Sequence, residues 1–372
     1  MAYFLEQLLN GLSLGCIYAF IALGYTMVYG IIKLINFAHG EFFMVGAFMG
    51  YFVLIGGGLE QLPLAHPWPM LLAGVAALVV AGVGAGLLAV ITERLAYRPL
   101  QGASRIAALL TALGVSLLLQ NLGIQVFTAE QKGFPEPRRF VAMEQVEDHE
   151  GEVFEGSAYV LFEVESFSGE HTQVRQIVTP RGEPFVADDV AAYENRTWHG
   201  EPITGMFIDQ PIETTTQKLM IITALIGSFS LLWLLVHRTA MGRAMRAVSY
   251  NPESAQLMGI SSGKIISTTF FIGAFLAGIG GVIWGLRYGK VEPFMGFLPG
   301  LKAFIAAVIG GIGSLPGAVL GGLSLGVLEA MIPAYLPSAY TGYKDAAAFV
   351  ALILILLIRP AGLLGKFEGE KV

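Results

Sequence analysis

Asn36, His39 and Glu41 are the side chains best placed to do chemistry: an amide, an imidazole and a carboxylate within six positions, between two apolar segments. Such a trio could bind a metal or move a proton. No second ligand stands at a useful spacing, however, and an isolated His in a helix break is usually just hydrogen-bonded. His199-Gly200-Glu201 lacks the cysteine pair that a zinc deaminase needs. Gly259-Ile260-Ser261-Ser262-Gly263-Lys264 has three residues between its glycines where a phosphate loop has four, and Ile265 replaces the Ser or Thr that should follow the lysine. The single cysteine, Cys16, lies in an apolar run, which excludes a disulfide framework and leaves a small hydrophobe as its ordinary reading. No catalytic residue, metal or cofactor is expected. What remains is recognition and passage.

The elements that must position these residues are membrane helices. The 372 residues are 55% hydrophobic and only 13% charged, against about 25% charged in soluble domains. Residues 7–32, 61–92, 106–129, 219–236, 265–286 and 303–328 contain no Asp, Glu, Lys or Arg. Each is near or above the roughly 20 residues that a helix needs to cross a bilayer. Long unbroken apolar runs exclude the alternation of a barrel strand. The expected fold is an all-α polytopic membrane protein of eight or nine spans, with breaks in two of them. The first run is too long for a signal peptide and has no basic residues before it, so it reads as a retained span.

The formal charge of −6 conceals two populations. Residues 129–217 carry 18 acidic and six basic residues, and the remainder carries 10 acidic and 16 basic. The chain thus divides into an N-terminal membrane half (1–128), an acidic insertion (129–217) and a C-terminal membrane half (218–372). Short loops rich in Lys and Arg face the cytoplasm, and two qualify: Glu93–Arg105 and His237–Lys264. Two crossings separate them, which puts the insertion outside. Its runs Tyr159–Phe162 and Gln176–Val178 are β-type, so it could form a small β-rich domain or a partly ordered loop. Farther along, residues 303–332 form one tilted helix or two short ones divided at Gly310–Gly317. Arg359, Lys366 and Lys371 favour a cytoplasmic carboxy terminus, which requires two helices and nine crossings. Arg287, Lys290 and Lys302 would then lie near the outer face, which speaks against it.

The 28-residue loop from His237 to Lys264 is long for a connection between spans. Asn251-Pro252 opens a helix, since Asn caps exposed N–H groups and Pro at the first position loses nothing. Glu253 suits the positive end of the helix dipole, and Gly259 suits a left-handed cap. An ordinary amphipathic connector would look similar. Arg243 and Arg246 could meet acidic protein surface or anionic lipid. At the other break, Asn36, His39 and Glu41 either close a turn or line a route, because polar groups at membrane depth commonly mark pathways. Gly313-x-x-x-Gly317-x-x-x-Gly321 echoes the Gly46-x-x-x-Gly50 that follows them, and paired breaks point to a path between repeats.

Glu253-Ser254-Ala255-x-x-x-Gly259 is similar to the E-A-A-x-x-x-G core of the coupling loop in permeases of bacterial ATP-binding cassette importers, without its usual Ile-x-Leu-Pro second half. The wider pattern resembles the branched-chain amino acid permease family. It comprises Asn36–Ala47, Glu93–Leu100, Arg243–Ala247 with Asn251–Ile260, Leu276–Gly281 and Arg359–Leu363, and covers about three quarters of the chain. It leaves out the acidic insertion, which is longer than the family's usual loop.

The resemblance implies a pore-forming subunit in the bacterial inner (plasma) membrane, paired with a second related permease. Two cytoplasmic ATPases and an extracytoplasmic substrate-binding protein would complete the importer. The chain would not itself hydrolyse ATP, would touch membrane lipid, and would bind no nucleic acid. The coupling residues would be Arg243, Arg246, Asn251, Pro252, Glu253 and Gly259; the route would pass Asn36, His39, Glu41, Gly313 and Gly317. Relatives of this type also move urea, short amides and other small polar solutes. An ion-coupled carrier is the reading from another class, for which Glu41, Glu329 and Asp345 at the edges of apolar runs are the available residues.

Overall fold

The computed structural model describes residues 2–34, 36–56, 67–100, 104–134, 140–147, 153–163, 173–178 and 214–365. These group into two compact units, one of residues 1–53, 76–134 and 215–372, the other of residues 54–75 and 135–214. The first holds the membrane body. Its helices are α1 (Ala2–Ile32), α2 (His39–Gly56), α3 (Pro67–Thr92), α4 (Arg105–Phe127), α5 (Thr214–Arg238), α6 (Ala240–Tyr250), α7 (Pro252–Leu257), α8 (Ser262–Tyr288), α9 (Phe297–Gly310), α10 (Leu315–Tyr335) and α11 (Lys344–Ile358). Among the described residues, eight helices are long and apolar enough to cross a membrane. The all-α polytopic architecture is thus as the apolar runs require.

α1, α8 and α10 pack through glycine. A Cβ on Gly15 would overlap the backbone of Leu323, one on Gly326 would overlap Gly15, and one on Gly322 would overlap Ala19. Small residues let helix backbones approach closely, which is how helices associate where lipid removes the hydrophobic drive between them. Gly46, on α2, likewise lies against Gly278 of α8. α1 and α8 are mostly buried, whereas α5 and α11 present apolar side chains outward along most of their length.

The contacts fix which ends lie together. Arg98 donates to the Gly263 carbonyl (3.2 Å), so the two basic loops touch. Leu363 and Leu364 donate their N–H groups to the carbonyls of Ile309 and Gly310 (2.8 and 2.9 Å), so the chain beyond α11 meets the end of α9. At the opposite end β1 (Lys132–Gly133), after α4, pairs antiparallel with β5 (Lys290–Val291), after α8. Residues 303–332 are two helices and not one: α9 and α10 are divided by a turn in which Gly311 and Gly313 have φ of +102° and +94°. At 14 residues, α9 spans about 21 Å, short of the ~30 Å hydrocarbon core. It is preceded by Glu292–Gly296, a hydrogen-bonded turn in which Met295 N–H donates to Glu292 O (3.1 Å).

The three cations that speak against nine traverses each have a partner. Arg287 reaches Ser13 Oγ and the Asn10 carbonyl, Lys290 reaches Gln131 Oε1 (3.4 Å), and Lys302 meets two carboxylates. In the second unit β2 (Phe140–Glu147), β3 (Val153–Glu163) and β4 (Gln173–Val178) form an antiparallel meander. Both β-type runs lie on strands, and β2 falls in a stretch that reads only as acidic and glycine-punctuated. The His199–Glu201 triplet lies outside the described residues.

Candidate functional site

The polar trio sits on the turn between α1 and α2. Lys33, at φ +56°, reverses the chain. Asn36 Oδ1 then accepts from Ala38 N–H (3.1 Å), and the Asn36 carbonyl accepts from His39 N–H (3.1 Å), which starts α2. Asn36, His39 and Glu41 are all buried. His39 lies against α1, where a Cβ on Gly24 would collide with its ring, and its ring centroid is 4.7 Å from that of Tyr25. Glu41 Oε1 accepts from Ser116 Oγ (3.0 Å) and Gln120 Nε2 (2.7 Å), which joins α2 to α4. Among the described residues Thr26 Oγ1, Asn36 Nδ2, His39 Nε2 and Glu41 Oε2 have no hydrogen-bond partner. Buried polar atoms without partners are costly.

The break between α1 and α2 packs against the start of α9. Gly40 lies backbone to backbone against Gly296 and Gly300, where the chain turns into α9. Gly317 and Gly321 instead pack α10 on Gly310 and Ala306 of α9, and Gly313 belongs to the intervening turn. The sequence signal for that contact is Gly296-x-x-x-Gly300, the same small-residue spacing, just ahead of α9. Phe304 faces both Tyr25 and Phe37 (5.9 Å each), so aromatic rings surround the meeting point. By contrast, the groove lined by Leu12, Cys16, Ile222, Leu225, Phe229 and Leu323 is wholly apolar and gives a polar solute nothing to bind.

The loop from His237 to Lys264 is a pair of helices. Thr239 caps α6, its Oγ1 accepting from Gly242 N–H (3.1 Å), and Gly242, Met245 and Val248 form its buried face. This helix escaped the sequence reading because its apolar face is only three residues deep. Asn251 Oδ1 accepts from Ser254 N–H (2.9 Å), Pro252 is the first residue of α7, and Glu253 lies in its first turn. At its end Ile260 N–H donates to Ala255 O and Gly259 N–H to Gln256 O, with Gly259 at φ +80°. That is the double hydrogen bond of a Schellman cap. Arg246 donates to the Val236 carbonyl and so caps α5, while Arg243 is exposed. Tyr250, Leu257 and Met258 project outward, 87%, 89% and 83% exposed.

A sequence family described as the permease component of the branched-chain amino acid transport system matches residues 7–359. The chain belongs to that family. The permease is 37% identical over 371 residues to the high-affinity branched-chain amino acid transport system permease LivH of Escherichia coli, covering 100% of this chain and 98% of the relative. It is 38% identical over 375 residues to BraD of Pseudomonas aeruginosa, with the same coverage. A probable LivH of Methanocaldococcus jannaschii is 35% identical over 150 residues, covering 39% of the permease and 46% of the relative. No solved structure matches it.

Two ionic clusters in the permease lie outside the predicted site. Glu93, buried, opens a π-helical turn (Glu93–Tyr97) and is bridged by Arg98 (3.0 Å) and Ser267 Oγ (2.6 Å). Lys302 on α9 meets Glu329 on α10 and Asp345 on α11, each at 2.6 Å, and Tyr18 on α1 donates to Glu329 (2.7 Å). Neither was legible as a cluster, because the members are separated by up to 311 positions.

Proposed function

We propose that this permease is the pore-forming subunit of an ATP-binding cassette importer for branched-chain or related amino acids, resident in the bacterial inner membrane. Full-length kinship to permeases named for that transport carries the reading. A second related permease would complete the pore, two cytoplasmic ATPases would drive it, and an extracytoplasmic binding protein would deliver solute.

The geometry supports the division of labour. α7, rigidly capped by Asn251 and Gly259 and started by Pro252 and Glu253, holds Tyr250, Leu257 and Met258 outward. Exposed apolar side chains on a polar loop suit a protein partner. Arg243 stands ready for acidic ATPase surface or lipid head groups, with Arg246 holding α6 to α5. The solute path would pass the buried break at Asn36, His39 and Glu41, where unpartnered donors and an acceptor match a zwitterion. The second turn at Gly313 and Gly317 would flex as α9 and α10 move.

The test is purification in mild detergent, identification of co-purifying subunits, and measurement of solute-stimulated ATP hydrolysis with the binding protein present. Leucine, isoleucine or valine should stimulate, and urea or short amides should not. Solute accumulation by this chain alone in liposomes would refute the reading.

A further inference from the structure

The helix that would receive the ATPase stroke is joined to the buried break at Asn36 by polar contacts linked through two short stretches of chain, Ser262–Gly263 and Glu93–Tyr97. Ser262 Oγ, in the first turn of α8, donates to the Pro252 carbonyl of α7 (3.0 Å). One residue on, the Gly263 carbonyl accepts from Arg98, and Arg98 also reaches Ser267 Oγ (2.9 Å). Arg98 and Ser267 both bind the buried carboxylate of Glu93. Glu93 and Tyr97 are the first and last residues of the π turn. Tyr97 stacks on Phe270 of α8 (5.6 Å) and donates its hydroxyl proton to Asn36 Oδ1 (2.6 Å), the same oxygen that organises the start of α2.

We propose that Arg98, Glu93 and Tyr97 are positioning residues that link movement of α7 to the α1–α2 break. This rests on the importer reading, since it supposes that α7 is pushed. The π turn supplies the joint. It carries one residue more than an α turn, closing with Arg98 N–H on the Glu93 carbonyl. π turns are rare and concentrate at functional sites. Annealing to an α register would wind Tyr97 farther round the axis relative to Glu93, which would withdraw its hydroxyl from Asn36. Holding Glu93 through Arg98 and Ser267 keeps the π register while α7 and α8 stay together; displacing α8 releases it. A two-state element biased from one end and read at the other is what coupling physically requires.

The test uses the assembled importer in proteoliposomes and reads solute moved per ATP hydrolysed. Tyr97→Phe removes one hydroxyl from a ring that remains stacked on Phe270, and Ser262→Ala removes the first contact. Each should leave assembly and ATP hydrolysis without solute unchanged, yet lower the solute-to-ATP ratio about tenfold, the fold-change expected for losing one buried hydrogen bond. The double variant should be no worse than either single one, because both cut the same series. An unchanged ratio in Tyr97→Phe, or fully additive losses, would overturn the relay. Glu253→Arg separates this from failure of the importer reading. If it too leaves ATP-driven uptake intact, α7 is not the driven element; if it abolishes uptake while Tyr97→Phe is silent, only the relay is wrong.

Discussion

The ammonium of Lys302 lies 2.6 Å from Glu329 Oε1, each side chain less than 10% exposed, in a part of the chain with no other acid or base for over twenty residues between them. Losing one member of a buried pair strands the other, at a cost of about 3–5 kcal/mol. Lys302→Met should therefore sharply lower the unfolding temperature in detergent, and Lys302→Met with Glu329→Gln should recover most of it. Asp345, whose side chain is 42% exposed, should matter less: Asp345→Asn should cost below about 1 kcal/mol.

Glycines in the α1–α10 seam and glycines facing open space should respond with opposite sign. Gly326→Val drives a branched side chain into the backbone of Gly15, and overpacking of this kind costs about 1–3 kcal/mol or more. Gly114, within α4, has nothing near its would-be Cβ. Gly114→Ala should stabilise by about 0.5–1 kcal/mol. Thermal denaturation of the two variants side by side checks this.

Glu41 ties α2 to α4 through Ser116 and Gln120. Glu41→Leu leaves both donors buried without an acceptor, a loss of about 1–3 kcal/mol for each. Glu41→Gln retains an acceptor and should still fold. If the break lines the solute path, Glu41→Gln should raise the KM for uptake at least severalfold with normal membrane levels. An unaltered KM would remove Glu41 from the path.

At the end of α7, Gly259 has φ +80°, whereas proline is locked near −65°. Gly259→Pro should destroy the cap and abolish uptake without affecting membrane insertion. Gly259→Ala should be milder, at about 1–2 kcal/mol of local strain. Uptake assays paired with immunoblots of membrane fractions distinguish loss of coupling from loss of protein.

Most of the membrane body was legible because the physics is one-dimensional: charge-free runs of span length mark α1, α3, α4, α5 and α8 directly. α7 was legible too, since Asn251, Pro252 and Gly259 are local signals read within nine residues. Pairings were not. Gly40 meets Gly296 across 256 positions, and nothing in either neighbourhood names the other. The glycine run at 313–321, legible as a pattern, packs two consecutive helices, and its sequence says nothing of that contact either. The π turn was equally hidden, because Glu93-Arg94-Leu95-Ala96-Tyr97 has the composition of any helix end. The contacts that accompany it, Arg98 and Ser267 on Glu93, include one from 174 positions away.

At Gly15, Gly322 and Gly326 the backbones of α1 and α10 come into direct contact, and Tyr18 bonds Glu329 across the same seam. Sliding between packed helices normally proceeds by rotamer changes that let interlocked side chains pass one another, and backbone-to-backbone contact at three glycines leaves little room for that. The two helices should therefore move together as a single stiff strut. Opening for transport should then occur by tilting other helices around that strut, with its own crossing angle kept through the cycle.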